Sequence, residues 1–325
     1  MKRYKLDCDP VQNGWVQSAV DEAGFRRQEN LADDYETFGG GLEVLSKEEL
    51  SNRTGARGYF GGLYCPTAGS IQPLSYTREL ARTAIELGAQ VFTESPIKTI
   101  NQTSDGWSLK TDKEIEVSCG QVLICTNGYT DKLVPGLAQK LIPIRSVLMA
   151  SEPLSEELRA EILPNQVTFV DKRRLILYFR YDRDGRLCVG DHGPMRDVFY
   201  PNDYKAVTRR AIKVFPKLAD LKWDYKWGGR IAMTRSHLPF ITQPKPGLTA
   251  GMGCNGRGVG MSTLMGINLA KSAIANMKGE ERPLLDFPVT RPKSYPFHSF
   301  HPLGVKVGIA WAAFRDELQE RRAQA

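Results

Sequence analysis

Gly251, Gly253 and Gly256 spell G-x-G-x-x-G between a short apolar run (Gly247 to Ala250) and a helical pattern from Val259 to Met277. On its own that spacing announces a dinucleotide-binding turn, in which glycines let backbone approach a pyrophosphate at a helix N-terminus. Two features oppose that reading. After the helix comes Lys278-Gly279-Glu280-Glu281-Arg282-Pro283, with no apolar strand to carry a ribose-binding acid. The motif also stands late in the chain, without room for the parallel strands that normally follow. What remains is a glycine loop at a helix start, where free N–H groups and the helix dipole favour negative charge. A phosphate, the N1–C2=O edge of a reduced flavin and a plain glycine turn for tight packing all suit it, and the motif does not choose among them.

A second group with chemical potential is Tyr178 and Arg180 in LILYFRY (Leu175 to Tyr181). Strand alternation puts Ile176, Tyr178 and Arg180 on one face, where an arginine beside a tyrosine suits a carboxylate. A sheet face open to water explains the same spacing. His192 and His237 are read as structural, and no acid or base is singled out for catalysis. The six cysteines, Cys8, Cys65, Cys119, Cys125, Cys188 and Cys254, form no C-x-x-C pair, so neither a zinc site nor a dense disulfide framework is expected. Reduced thiols in a cytoplasm are the simplest reading.

The elements that must position these groups are partly legible. Asp21 to Phe38 reads as a helix, and Ser46-Lys47-Glu48-Glu49 as a helix start with a capping box. Gly58 to Tyr76 reads as a long loop rich in glycine, aromatics and proline. Leu74 to Leu87 has helical spacing and ends at Gly88. Ile97 to Gln102, Trp107 to Thr111 and Ile115 to Cys119 read as strands, the first two joined by Ser104-Asp105-Gly106. Val122 to Cys125 is a continuous apolar run, expected as a strand buried on both faces, and it ends in Thr126-Asn127-Gly128. Asp182-Arg183-Asp184-Gly185 turns the Tyr178 strand back into Arg186 to Gly190. In the late helix, Gly266, Ala270 and Ala273 are expected to pack closely against another element. A proline-rich tail follows Pro283, then an amphipathic helix from Val305 to Arg321 that is expected to dock on the body.

Composition narrows the function classes. The chain has 325 residues, 41% hydrophobic and 25% charged, enough for one large or two ordinary domains with a sizeable core. No apolar run is long enough to span a bilayer. The formal charge of +7 comes from 44 Lys+Arg against 37 Asp+Glu. Those charges are interleaved, and the densest patches, Lys172-Arg173-Arg174 and Arg321-Arg322, read as solvated faces. Nucleic acid is therefore set aside.

The glycine loop with its helix, GMGCNGRGVGMSTLMGINLA (Gly251 to Ala270), resembles the C-terminal flavin-binding segment of the D-amino acid oxidase/glycine oxidase superfamily, on its gamma-glutamylputrescine oxidoreductase-like branch. Other segments resemble it in the same order: Gly14 to Gln17, Gly69 to Val91, Cys125 to Leu137, Ile142 to Ser146, Tyr178 to Leu187 and Met233 to Ile241. Together they cover nearly the whole chain. Family members begin with a βαβ unit that holds the ADP half of FAD, and such a unit takes about 30 residues. Here the Gly14 segment stands too early for one, so the resemblance is to the family minus that first βαβ unit.

The resemblance implies an α/β (α+β mixed) fold: an FAD/NAD(P)-binding-type domain (65–138 and 228–280) and a substrate domain on an antiparallel sheet (1–64 and 139–227), with 281–325 as a C-terminal tail. It implies non-covalent FAD, with Ile97 and Lys98 beside the adenine and Thr126, Asn127 and Gly128 near the pyrophosphate and ribose. Gly253, Asn255, Gly256, Arg257, Gly258 and Val259 would cradle the flavin ring. Tyr178, Arg180 and Arg230 would face the substrate, an amine or amino acid oxidised at its C–N bond by hydride transfer to flavin N5. Two positions depart from the family pattern: Cys254 stands where an aromatic is common, and Ser236 where an acid is. The rival expectation is a non-catalytic remnant that cannot keep FAD without another chain, associating through the surface that the missing unit leaves.

Overall fold

The computed structural model describes residues 2–280 and 285–324. Its strands, in chain order, are β1 (Trp15–Ala19), β2 (Glu43–Ser46), β3 (Gly61–Cys65), β4 (Ile97–Gln102), β5 (Trp107–Thr111), β6 (Glu116–Cys119) and β7 (Val122–Ile124). They continue as β8 (Ile142–Pro153), β9 (Thr168–Asp171), β10 (Leu177–Tyr181), β11 (Arg186–His192), β12 (Trp223–Met233), β13 (Phe240–Lys245) and β14 (Leu248–Met252). The helices are α1 (Glu22–Glu36), α2 (Lys47–Thr54), α3 (Pro73–Glu86), α4 (Glu156–Glu161), α5 (Pro201–Val214), α6 (Gly258–Lys278) and α7 (His301–Gln324). Part of the Lys278–Pro283 stretch and the side chains of Arg321 and Arg322 lie outside the described residues.

The chain forms two compact units: Met1–Ala89 with Arg145–Gly229 and Gly304–Ala325, and Gln90–Ile144 with Arg230–Leu303. Residues 65–89 thus fall in the first unit, and residues 281–303 in the span of the second.

The first unit is built on a mixed eight-stranded sheet of order β12-β8-β11-β10-β9-β1-β3-β2. β1 runs parallel to β9, and the register pairs given for the other neighbours are antiparallel. Local chemistry starts and stops its elements. Asp21 caps α1 by accepting from the Gly24 N–H at 2.6 Å. Ser46 and Glu49 close the capping box of α2 reciprocally, as expected. In the β10–β11 turn the Asp182 carboxylate accepts from the N–H groups of Asp184 and Arg186, and Gly185 takes φ +74°. One face of the sheet buries Phe169, Phe179, Leu187 and Val189 against α5, which contributes Tyr204, Val207, Ala211 and Val214. Phe215, just after α5, meets Phe179 edge-on at 5.2 Å. Each large side chain so buried contributes about 1.5–3 kcal/mol.

β3 corrects one expectation, because it lies inside the stretch that reads as a loop. It pairs with β1 on one side and β2 on the other. Its glycines are there for space: a Cβ at Gly61 would sit 2.4 Å from the Phe25 ring, and one at Gly62 2.6 Å from Leu50.

The second unit holds two three-stranded sheets, β4-β5-β6 and β13-β14-β7. The first is an antiparallel meander. In the second, β14 pairs antiparallel with β13 and parallel with β7. Their common core contains Trp107, Val122, Ile124, Phe240, Leu248 and Met252. β7 is a margin strand, paired only with β14 among the described residues. Its burial alternates, with Leu123 37% exposed between buried Val122 and Ile124, so the expectation of burial on both faces is corrected. α6 packs Met265 and Leu269 onto Ile241 of β13. Its opposite face presents Val259, Ile267, Ile274 and Met277 to solvent. Gly266 has open space at its Cβ position and Ala270 is exposed, so neither makes the close packing expected of it. A helix apolar on both faces is ordinarily covered on both.

Candidate functional site

The second unit builds a glycine loop between β14 and α6, and each motif glycine has its own reason, steric for Gly251 and Gly253 and conformational for Gly256. A Cβ at Gly251 would stand 2.6 Å from Met265 Cγ, so this glycine lets α6 lie close on β14. Gly253 has φ +85° and a Cβ there would meet Thr234 Cγ2 at 2.2 Å. Gly256, at φ +82°, has nothing within 4 Å of that position. The loop is pinned from two sides. Asn127 Oδ1 accepts from the Gly253 N–H at 3.0 Å. Asn255 accepts from the Thr234 N–H at 2.9 Å and donates to the Gly253 carbonyl at 2.6 Å. Both asparagines, expected at the cofactor, therefore use these groups to shape the loop.

The N-terminus of α6 is then left to a ligand or to water. Arg257 occupies the N-cap without a side-chain cap hydrogen bond, and its guanidinium donates instead to the His237 carbonyl at 3.1 Å. Nothing approaches the Cβ positions of Gly256 and Gly260, and Val259 is exposed, so the first turn is sterically open. Uncapped N–H groups beside a glycine path fit the electron-rich edge of a flavin. The adjoining cavity, lined by Cys125, Asn127, Cys254 and Met261 among others, measures about 80 Å³, room for a few waters and not for a ring system. A flavin would therefore lie against the loop. Cys125 is exposed, and desolvation by the atoms around it raises its thiol above the usual cysteine range, which favours the protonated form.

The other expected residues of this unit are spread further. Thr126 Oγ1 shares a 2.8 Å hydrogen bond with Thr130. Gly128 is buried where a Cβ would press on the Arg230 carbonyl at 2.8 Å. Arg230 stacks its guanidinium over the Tyr129 ring at 5.1 Å. Ile97 and Lys98 lie on β4, in the separate meander.

Tyr178 and Arg180 belong to the first unit and do share a face of β10, opposite the core. The Tyr178 ring covers Gly190, where a Cβ would fall 2.0 Å from it, and its hydroxyl shares a 2.6 Å hydrogen bond with Ser146. Burial pushes that hydroxyl above the usual tyrosine range, so it remains a neutral donor and acceptor. Arg180 donates to the Tyr181 carbonyl at 3.0 Å. Ser146, to which the sequence assigns no role, and His192, which reads there as structural, stand on the same face because His192 pairs with Ser146 in the β11–β8 register. That signal is non-local. Only the strand alternation 188-190-192 hinted at it.

Comparison with known proteins assigns the family. The family model described as FAD dependent oxidoreductase (DAO) matches residues 1–272. "Probable oxidoreductase OrdL" of Haemophilus influenzae is 28% identical over 98% of this chain and 73% of its own length. Gamma-glutamylputrescine oxidoreductase of Escherichia coli is 27% identical over 98% of this chain and 74% of its own. Among solved structures, glycine oxidase from Geobacillus kaustophilus shares the fold, with a TM-score of 0.75 at 20% identity, covering 89% of this chain and 78% of that one. The chain belongs to the DAO family of FAD-dependent oxidoreductases.

Proposed function

We propose that this member of the FAD-dependent oxidoreductase family oxidises the C–N bond of an amine or amino acid, holding FAD non-covalently on its second unit. The observation that carries the reading is the uncapped, sterically open α6 N-terminus, with its loop held in shape by Asn127 and Asn255. When bound, FAD accepts a hydride at N5. The uncapped N–H groups of Gly258 and Val259 would stabilise negative charge on a bound flavin. Gly253, Gly256 and Arg257 shape the approach. Ile97 and Lys98 take the adenine side, and Thr126 with Gly128 the pyrophosphate side. Tyr178 and Arg180, on the first unit, would orient a substrate carboxylate. Arg230, considered by itself on the second unit, is a further candidate for binding such a group. Positioning and charge stabilisation do most of the work in such chemistry, and the imine product hydrolyses in water. The names of two of the relatives above, a gamma-glutamylputrescine oxidoreductase and a glycine oxidase, support the substrate class. The six cysteines form no disulfide among the described residues, which supports a cytoplasmic setting. No helix among the described residues is long and apolar enough to cross a membrane.

The test is the visible spectrum of the purified chain before and after FAD is added and desalted away. Flavin bands near one per chain, bleached anaerobically by an amine or amino acid, are expected. The open β7 edge and the exposed apolar face of α6 favour a second reading, in which FAD is kept only after another polypeptide covers them. A chain that releases all added FAD in the desalting step rejects the first reading in favour of the second.

A further inference from the structure

We propose that His192, held by Asp191, takes the ammonium proton of an amine bound on the Tyr178 face of the sheet. This rests on the amine-oxidising reading and adds the proton acceptor that it lacks. Register places the group: Tyr178 pairs with Gly190 and His192 pairs with Ser146. The Tyr178 hydroxyl reaches Ser146 at 2.6 Å, so hydroxyl, serine and imidazole are neighbours on one face.

Asp191 projects to the buried side, with its side chain 2% exposed. It accepts from the His192 backbone N–H and engages His192 Nδ1, each at 2.6 Å. An ionised carboxylate only accepts hydrogen bonds, so Nδ1 carries the ring proton and Nε2 keeps its lone pair. Nε2 has no hydrogen bond among the described residues, and the side chain is 33% exposed. A buried carboxylate orienting a half-exposed imidazole beside a hydroxyl is an arrangement for moving a proton.

Hydride can leave the substrate carbon only when the neighbouring nitrogen has a free electron pair. Near neutrality a primary amine is an ammonium ion. One N–H bond breaks, its electron pair stays on the substrate nitrogen, and the proton forms a new bond to His192 Nε2. Nothing is oxidised in this step. The imidazolium is stabilised by Asp191 and later returns the proton to water. Arg210 of α5 also binds Asp191 and opposes the imidazolium. Tyr178 of β10 contributes a neutral hydroxyl, and Arg145 of β8 and Arg196 are engaged by Asp197 and Asp203.

Two measurements test this. In the ¹⁵N-labelled chain, the His192 ring, assigned by its loss in His192→Gln, is expected as the Nδ1-protonated tautomer at pH 7. An Nε2-protonated ring overturns the proposal without any use of cofactor. In FAD-loaded protein, anaerobic flavin bleaching by n-butylamine and by glycine is followed from pH 5 to 10. The parent rate is expected to fall on the acid side, and the position of that limb is compared between parent and variant. In His192→Gln the rate at pH 7 falls about 100-fold or more, and the limb moves to the amine's own ionisation. His192→Ser serves if the glutamine variant does not fold. A variant that keeps the parent's rate and profile overturns this proposal alone. A parent that loses FAD, or that neither probe bleaches, overturns the amine reading and this proposal with it.

Discussion

The large sheet of the first unit and the small β13-β14-β7 sheet of the second bury their apolar residues to different degrees. The first is packed under α5 and carries an aromatic cluster of Phe169, Phe179 and Phe215 with almost no exposure. The second ends at β7, one of whose sides is unpaired among the described residues, and is flanked by a helix with Ile274 and Met277 half-exposed or more. Stability is therefore concentrated in the unit that carries the Tyr178 face, while the unit with the glycine loop has apolar surface to spare. A cofactor or a partner that covers such surface adds its binding energy to folding.

The sharpest way to test this contrast is to truncate one apolar side chain in each to alanine. Phe169→Ala in the first core is expected to cost about 3–5 kcal/mol in urea unfolding. Ile274→Ala on the outer face of α6 is expected to stay within about 0.5 kcal/mol, and a loss near that of Phe169→Ala would break the comparison by showing that this face is covered. Next in size is Gly253→Ala. Its φ and its contact with Thr234 predict a loss of about 1–3 kcal/mol and, if the loop holds flavin, a loss of FAD retention after desalting. Ser46→Ala removes half of the α2 capping box and is expected to cost about 1 kcal/mol, seen as a small drop in the urea midpoint of the first unit. The smallest stability effect belongs to the pair Ile267→Lys and Ile274→Lys, yet it is expected to reduce self-association in light scattering. Unchanged association would place the sticky surface elsewhere.

What was legible in the sequence was what neighbouring residues decide. Asp21 before α1, Ser46 with Glu49, and Asp182 to Gly185 in the hairpin each satisfy backbone groups within four residues, and each was readable. β3 was hidden because its glycines look like loop residues until Phe25 and Leu50 press on them. β7 looked doubly buried because an apolar run does not say how many strands lie beside it. The glycine loop was recognisable as a loop at a helix start, but Asn127 as its clamp required a contact across more than a hundred residues, and Asn255 one with Thr234, just after β12. His192 was set aside as structural for the same reason: its value comes from facing Ser146 on another strand.

β1 and β9 pair in parallel although about 150 residues separate them in the chain, as the Gly14–Thr168 hydrogen bond illustrates. Made at about 5–20 residues per second, β1 waits on the order of ten seconds before its neighbour exists. During that time the β1-β3-β2 ribbon has an unsatisfied edge, and the whole second strand-rich stretch, β4 to β7, emerges before the first sheet can close. Slow, non-local closure of this kind lowers the folding rate far more than it alters the final stability. Yield during synthesis, more than resistance to denaturant once folded, is where this topology makes its demands.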